Sequence, residues 1–515
     1  MAEERRGWTG GPNLPFPMGA SVVLTRPVAN RRLVSIFDTI MEYGLYFLIV
    51  LTPFAFGTVE SWSIAIAEVV IFTVALAWGL KMVALGVIRI ERTPFNICWL
   101  LVLGFGLLQI VPLPLRFVQI LSPHAYALYQ DMAIESSLNA TWRTLSLYPY
   151  ATKLEILRLS ALALLFWVAA NHLRTREQVE RVVWVVMGTG FLLAMFGIIQ
   201  HFTWNGKLFW VREFPERSHP FGPYVNRNHF AGYLEMVIPL CLGRIVETRR
   251  NKSSGVTGWR DRLLQWRTPE ANRALLVFFG GLIVVAALLL SGSRAGLFSF
   301  LGSMLFMALL SGRRRQSKRW WAPLALFVAL GFAYAVWLKV DDVMKTFAIL
   351  WVGTDDPSAS WRLLVWKDTL RLGRAFLWTG TGLNTFSWAF PLYQSPLTGQ
   401  GHFTHAENDY LQAFAEGGLP FIGFLALALI WGGAQLLTGW SDSQRSHARG
   451  LGLGLLAGLV ALLLHSLADF NLHIMANAIL FVLLLALATR VLVFGTSPAA
   501  ALNHFGTFSD RAAPH

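Results

Sequence analysis

Charge is the scarcest property of this 515-residue chain. Only 14% of its residues are Asp, Glu, Lys or Arg, while 55% are hydrophobic. Soluble domains carry about 25% charged residues, so a soluble globular class is excluded. Cysteine is almost missing. The two present, Cys98 and Cys241, both lie inside apolar runs, which excludes a disulfide framework and a cysteine metal cluster. The first 32 residues contain no apolar core of the signal-peptide kind, so no cleavage is expected there. Support for a nucleotide-binding loop is weak too. The stretch GTGLNTF (Gly380 to Phe386) has no strand before it and no Lys after it, and it reads as a turn. Acidic residues are fewer than basic ones, giving a net charge of +14. The basic residues cluster in short loops between apolar runs. They therefore report membrane orientation and not nucleic-acid binding.

What the chain has in quantity is apolar runs of bilayer length. Runs of about 18 or more residues make it an all-α polytopic membrane protein. About twelve spans are predicted, at 33–56, 61–86, 95–114, 150–171, 182–203, 228–246, 274–291, 295–311, 320–338, 418–437, 450–466 and 472–494. Residues 1–32 read as a Gly/Pro-rich basic cytoplasmic tail, 33–494 as the transmembrane unit and 495–515 as a second cytoplasmic tail. The loop 115–149 is polar and aromatic, with an interfacial helix expected over Leu115 to Ile134.

Orientation follows from the basic loops. Those holding Arg89, Arg174 to Arg181, Arg249 to Arg273, Arg313 to Arg319 and Arg445 to Arg449 all fall on one side if there are twelve spans with both termini cytoplasmic. The polar loops 115–149, 204–227 and 339–417 then share the other, periplasmic face. The largest, 339–417, lies between the ninth and tenth spans. A site built from several loops requires such a shared face.

The densest set of chemically capable residues is HFTHAENDYLQAFAEGGLP, His402 to Pro420. Thr404 with Glu407 reads as a capping box, so a helix is expected to begin there with His405 in its first turn. Gly417 and Gly418 should stop it. A helix N-terminus disfavours imidazolium, and a neutral imidazole can take a proton from a hydroxyl. His405 is therefore a candidate general base, or else an inert interfacial histidine. The capping box already accounts for Glu407. Asn408 and Asp409 either cap the helix or contact sugar hydroxyls.

Arg294 lies in SGSRAG at the outer end of two spans, against the orientation bias of basic residues. It either snorkels to lipid phosphate or serves as a fixed cation for an anionic ligand, a role suited to its planar fork. The 204–227 loop adds Arg212, Arg217 and Arg227. In SWRLLVWKDTLRL an amphipathic helix is expected, with Trp361, Leu364, Val365 and Trp366 as its apolar side. Arg362 faces either a site or solvent. In HSLADFNLH, His465, Asp469 and His473 recur every four residues and should share one helical face. Polar contact between helices is the favoured reading there, over zinc ligation.

Taken in order, NRNHFAGYLEMVIPL, SGSRAG, the long outer loop, HAENDYLQAFAEGGLPFIG and HSLADFNLH resemble the O-antigen ligase and polymerase superfamily over residues 150–490. The resemblance implies a GT-C-like fold in the bacterial inner membrane. It also implies an inverting, metal-independent glycosyl transfer needing no cofactor. The donor would be a glycan on undecaprenyl pyrophosphate, and the acceptor a hydroxyl of another glycan or of lipid A core. His405 would activate that hydroxyl. Arg294 and Arg217 would bind the pyrophosphate, with Arg212, Arg362, Glu407, Asn408 and Asp409 as further substrate contacts. The family varies at the position of Glu407, so that residue is not assigned as the base. Protein glycosylation is a third branch of the superfamily. A transporter related to inorganic-carbon carriers is the alternative from another class. Broken midplane helices and internal repeats would mark it, and neither is seen in the sequence.

Overall fold

The computed structural model describes residues 20–23, 31–136, 141–213, 219–250, 268–312, 321–337, 357–398, 401–443 and 446–496. Arg217, most of the basic loops 249–273 and 313–319, Arg445, and most of both tails lie outside the described residues.

The chain is an all-α membrane protein. Its helices are Arg31–Phe54 (α1), Ser61–Leu85 (α2), Pro94–Ile110 (α3), Leu115–Leu121 (α4), Pro123–Ser136 (α5), Pro149–His172 (α6), Arg176–Phe202 (α7) and Arg227–Arg250 (α8). Then come Pro269–Leu290 (α9), Arg294–Gly312 (α10), Trp321–Trp337 (α11), Pro357–Ala375 (α12) and Asp409–Leu427 (α13). A π-helical turn leads from α13 into Gly433–Asp442 (α14), followed by Ser446–His465 (α15) and Met475–Thr489 (α16). Among the described residues, nine helical segments are long and apolar enough to cross a membrane, and α3 and part of α11 form shorter apolar helices. Each of the twelve expected spans falls on a helix. Two short antiparallel strand pairs, Ala20–Val23 with Val87–Ile90 and Leu113–Pro114 with Trp142–Arg143, fasten connections outside the bundle.

The centre of the bundle is α8. Every residue from Phe230 to Leu242 is buried, the pattern of a helix wrapped on all sides. It packs on α15 through a run of glycines. A Cβ on Gly450 would lie 2.8 Å from the Gly243 carbonyl oxygen, one on Gly454 2.6 Å from that of Pro239, and one on Gly458 2.7 Å from that of Met236. Backbones can approach this closely in a membrane only where side chains are absent. The main core continues from these helices into α6, α7, α9, α10 and α16.

A second, smaller core caps one end of the bundle. It joins Val118 and Ala125 of α4 and α5 to Val365, Leu372, Phe376, Phe386, Phe390 and Ala406. The expected helix over Leu115 to Ile134 is two helices, because Pro123 cannot continue the first one. Gln109 at the end of α3 locks the cap down. Its amide donates to the carbonyls of Thr379 and Glu416 at 2.8 and 2.9 Å and accepts from Leu383 N–H at 3.0 Å. The opposite end of the bundle carries ion pairs, including Lys81–Asp38 at 2.5 Å, Arg176–Glu247 at 3.0 Å and Arg490–Glu91 at 3.5 Å.

Candidate functional site

The helix after the His402 stretch begins later than its sequence implies. Asn408 is the N-cap, its side-chain oxygen accepting from Tyr410 and Leu411 N–H at 3.0 Å each. The expected Thr404–Glu407 capping box does not form. Glu407 has a φ of 53°, in the left-handed region, and cannot be the third residue of a helix. His405 therefore precedes α13 and does not occupy its first turn. The reason is tertiary. Asn408 also donates to the Leu467 carbonyl at 2.7 Å, and Asp409 N–H donates to that of Ser466 at 3.0 Å. These bonds tie the helix start to the turn after α15. The expected stop is present: Gly418 leaves helical geometry at φ 64° and ψ −165°.

The His405 ring is stacked on Phe470, centroids 4.2 Å apart and planes 16° apart, with the His473 ring at 5.0 Å. Its Nδ1 lies 3.2 Å from Gln412 Oε1. Burial, reinforced by the charge of His473, holds the His405 pKa well below its ordinary value. The ring thus stays neutral, through burial and a neighbouring cation rather than through a helix dipole. His473 itself lies 2.7 Å from Asp409. Burial alone would lower its pKa, but the Asp409 hydrogen bond and charge outweigh that and raise it.

His465, Asp469 and His473 do not share a helical face. The helix ends at His465, and a 3₁₀ turn (Asn471–His473) follows, so the spacing of four is not a helical repeat. Each residue has its own partner: His465 pairs with Glu235 at 3.1 Å, Asp469 with His229 at 3.2 Å and Asn228 at 2.6 Å, and His473 with Asp409. All three join separate elements, as the favoured reading had it. Burial would raise the Asp469 pKa, but the hydrogen bond and charge of His229, with the charges of His465 and Arg362, hold it below the carboxylate range.

Three arginines from distant stretches lie within electrostatic reach of one another. Arg362 on α12 reaches Glu407 at 3.4 Å. Arg227 at the start of α8 feels the charges of both Arg294 and Arg362, and its Nη1 lies 3.6 Å from where a Cβ on Gly292 would stand. Glu407 has a raised pKa, because burial and the Asp469 charge outweigh Arg362. Arg212 points elsewhere. It pairs with Glu60 at 2.6 Å and covers the Phe56 ring at 4.2 Å. Helix α12 has Val365 buried and Leu364 and Trp366 half-buried, while Trp361 is exposed and packs on Phe403 at 4.9 Å.

The GTGLNTF stretch is a turn whose backbone N–H groups hold a carboxyl group, and that group belongs to the chain. Asn384 and Phe386 N–H donate to the two carboxylate oxygens of Glu416 at 2.7 and 3.1 Å. Gly380 and Gly382 take φ of 62° and 108° there, conformations open to glycine.

Residues 279–428 match the family model described as O-antigen ligase. That match supports the O-antigen ligase superfamily for this chain. The matched segment contains Arg294, Arg362, His405, Gln412 and Glu416, while Arg227, Asp469 and His473 lie outside it. The family points to glycan transfer in O-antigen assembly, with a lipid-linked glycan as substrate in a membrane setting. No curated protein matches the chain. Gln412 was not singled out from the sequence. Its spacing of four from Glu416 was the available signal.

Proposed function

We propose that the chain transfers a glycan from a polyprenyl pyrophosphate, undecaprenyl pyrophosphate in bacteria, to a hydroxyl acceptor at the periplasmic face of the inner membrane. The proposed frame is GT-C-like, with twelve spans, both termini cytoplasmic and 339–417 outside. His405 takes the acceptor proton while the acceptor oxygen bonds to the anomeric carbon. The bond from that carbon to the pyrophosphate oxygen breaks, with inversion. Arg294, Arg227 and Arg362 hold the pyrophosphate and stabilise its charge as it leaves. Because the donor is already activated, this chemistry asks for no metal and no cofactor. Asn408 and Asp409 serve the pocket by fixing its walls, not by touching sugar. Arg217 remains a proposed phosphate contact, and Arg212 is assigned a structural role.

One observation carries the reading: a neutral imidazole two residues from Glu407, which pairs with Arg362, while Arg227 lies within electrostatic reach of both Arg362 and Arg294. The test uses purified protein in lipid and a lipid-linked oligosaccharide with an acceptor glycan. Undecaprenyl pyrophosphate release is expected from the wild type and should be lost in His405→Ala. Wild-type release from that variant would remove His405 as the base.

A further inference from the structure

We propose that Gln412 and Glu416 are positioning residues that fix which nitrogen of His405 carries the proton. The inference rests on His405 acting as the base. It starts from a donor whose identity is certain. Ala406 N–H points at Gln412 Oε1, 3.1 Å away, and a backbone N–H can only donate. The atom at that position is therefore the amide oxygen. The amide nitrogen then faces Glu416 Oε1 at 3.1 Å. That oxygen already accepts from Phe386 N–H, and its partner accepts from Asn384 N–H. The turn 380–386 orients the Glu416 carboxylate, the carboxylate orients the amide, and the amide presents oxygen to His405 Nδ1.

An oxygen 3.2 Å from Nδ1 requires Nδ1 to carry the hydrogen. In a neutral ring the lone pair then falls on Nε2. This is the nitrogen that could receive a proton from substrate. Free histidine favours the opposite tautomer, so the relay selects the less common form. Nearly all of it is buried: Gln412 and Glu416 are 1% and 3% exposed. The other groups acting on His405 are His473 and Phe470 of the 466–474 turn, His229 of α8 and Arg158 of α6. Of the charged groups, all are cationic or become so on protonation, and among the described residues the hydrogen-bond partner recorded at Nδ1 is Gln412.

The test has two arms on the full-length protein. In the first, turnover of lipid-linked oligosaccharide is followed against pH. Gln412→Glu keeps an acceptor at Nδ1 but adds a negative charge, which favours imidazolium. The acid limb of kcat should move to higher pH. Gln412→Leu should lower kcat roughly tenfold or more, as misplaced tautomers do elsewhere, with KM little changed. In the second arm, ¹⁵N spectra of histidine-labelled protein are read at neutral pH, with His405 assigned by its loss in His405→Gln. The wild type should show a protonated Nδ1 and a bare Nε2, and Gln412→Leu should shift toward the Nε2–H form. A wild-type spectrum with Nε2–H overturns the proposal whatever the kinetics do. So does an unmoved pH profile in an active Gln412→Glu. Those failures leave the base reading standing, whereas normal turnover in His405→Ala removes the base reading itself.

Discussion

His465 Nδ1 lies 3.1 Å from both carboxylate oxygens of Glu235, and neither side chain reaches solvent. The pair joins the end of α15 to the middle of α8. Deleting one partner leaves the other group buried without its mate, which costs about 3–5 kcal/mol in soluble proteins. Hydrogen bonds between membrane helices are commonly worth less, about 0.6–2 kcal/mol, because the unfolded chain in the bilayer also finds partners. His465→Leu should therefore lower the melting temperature of the detergent-solubilised protein, and the double variant with Glu235→Leu should recover part of the loss. A double variant no better than the single one would sink the claim that a stranded carboxyl causes the damage.

The glycine run of α15 predicts a sharper effect. A Cβ on Gly454 meets the Pro239 carbonyl oxygen at 2.6 Å and the Leu240 Cα at 3.1 Å. Both are backbone atoms of the central helix, so neither can rotate aside. Gly454→Val should abolish recovery of folded protein in size-exclusion chromatography. Gly423→Val, where a Cβ would meet nothing within 4 Å, should be recovered normally.

The all-α polytopic class was legible because bilayer-length apolar runs depend on composition alone. Local competition hid the start of α13. Thr404 with Glu407 and Asn408 are both adequate caps, and the choice was made by the Leu467 and Ser466 carbonyls, some sixty residues away in sequence. The same holds for His465, Asp469 and His473. Their spacing of four suggested a helix that the chain in fact leaves at His465. His405, Arg294 and Arg362 could be named as candidates from residue type and position. Gln109 and the Glu416 cradle could not, because their roles consist of bonds to backbone groups far along the chain, and Gln412 could not because its bonds to His405 and Ala406 depend on how the loop before α13 folds back.

The electrostatics of the histidine pair give a signed pH prediction. His473 carries a raised pKa and its charge helps hold that of His405 down. As base, His405 must be neutral, so the acid limb of kcat should lie below the ordinary imidazole value of about 6.5. His473→Ala removes a repelling cation, the His405 pKa rises, and the limb should move to higher pH. A limb that moves down, or stays, would separate the two rings electrostatically.

The arginines should divide by function. Arg294→Lys keeps the charge and loses the planar fork, so turnover should fall at least tenfold with normal expression. Arg212 is committed to Glu60 and the Phe56 ring. Arg212→Lys should leave turnover within about twofold, since exposed ion pairs contribute little. Equal losses in the two variants would mean that the charge of this face matters and the individual positions do not.

Sidedness can be tested with the chain's own scarcity of thiols. Cys98 and Cys241 are both buried, so a new exposed cysteine dominates labelling. Thr404, beside His405, is exposed, and so is Glu177 at the opposite end of the bundle. In intact spheroplasts a membrane-impermeant maleimide should modify Thr404→Cys at once. It should modify Glu177→Cys only after permeabilisation. The reverse pattern would put the pocket in the cytosol, where the basic loops are expected. A periplasmic glycan acceptor could then never reach His405.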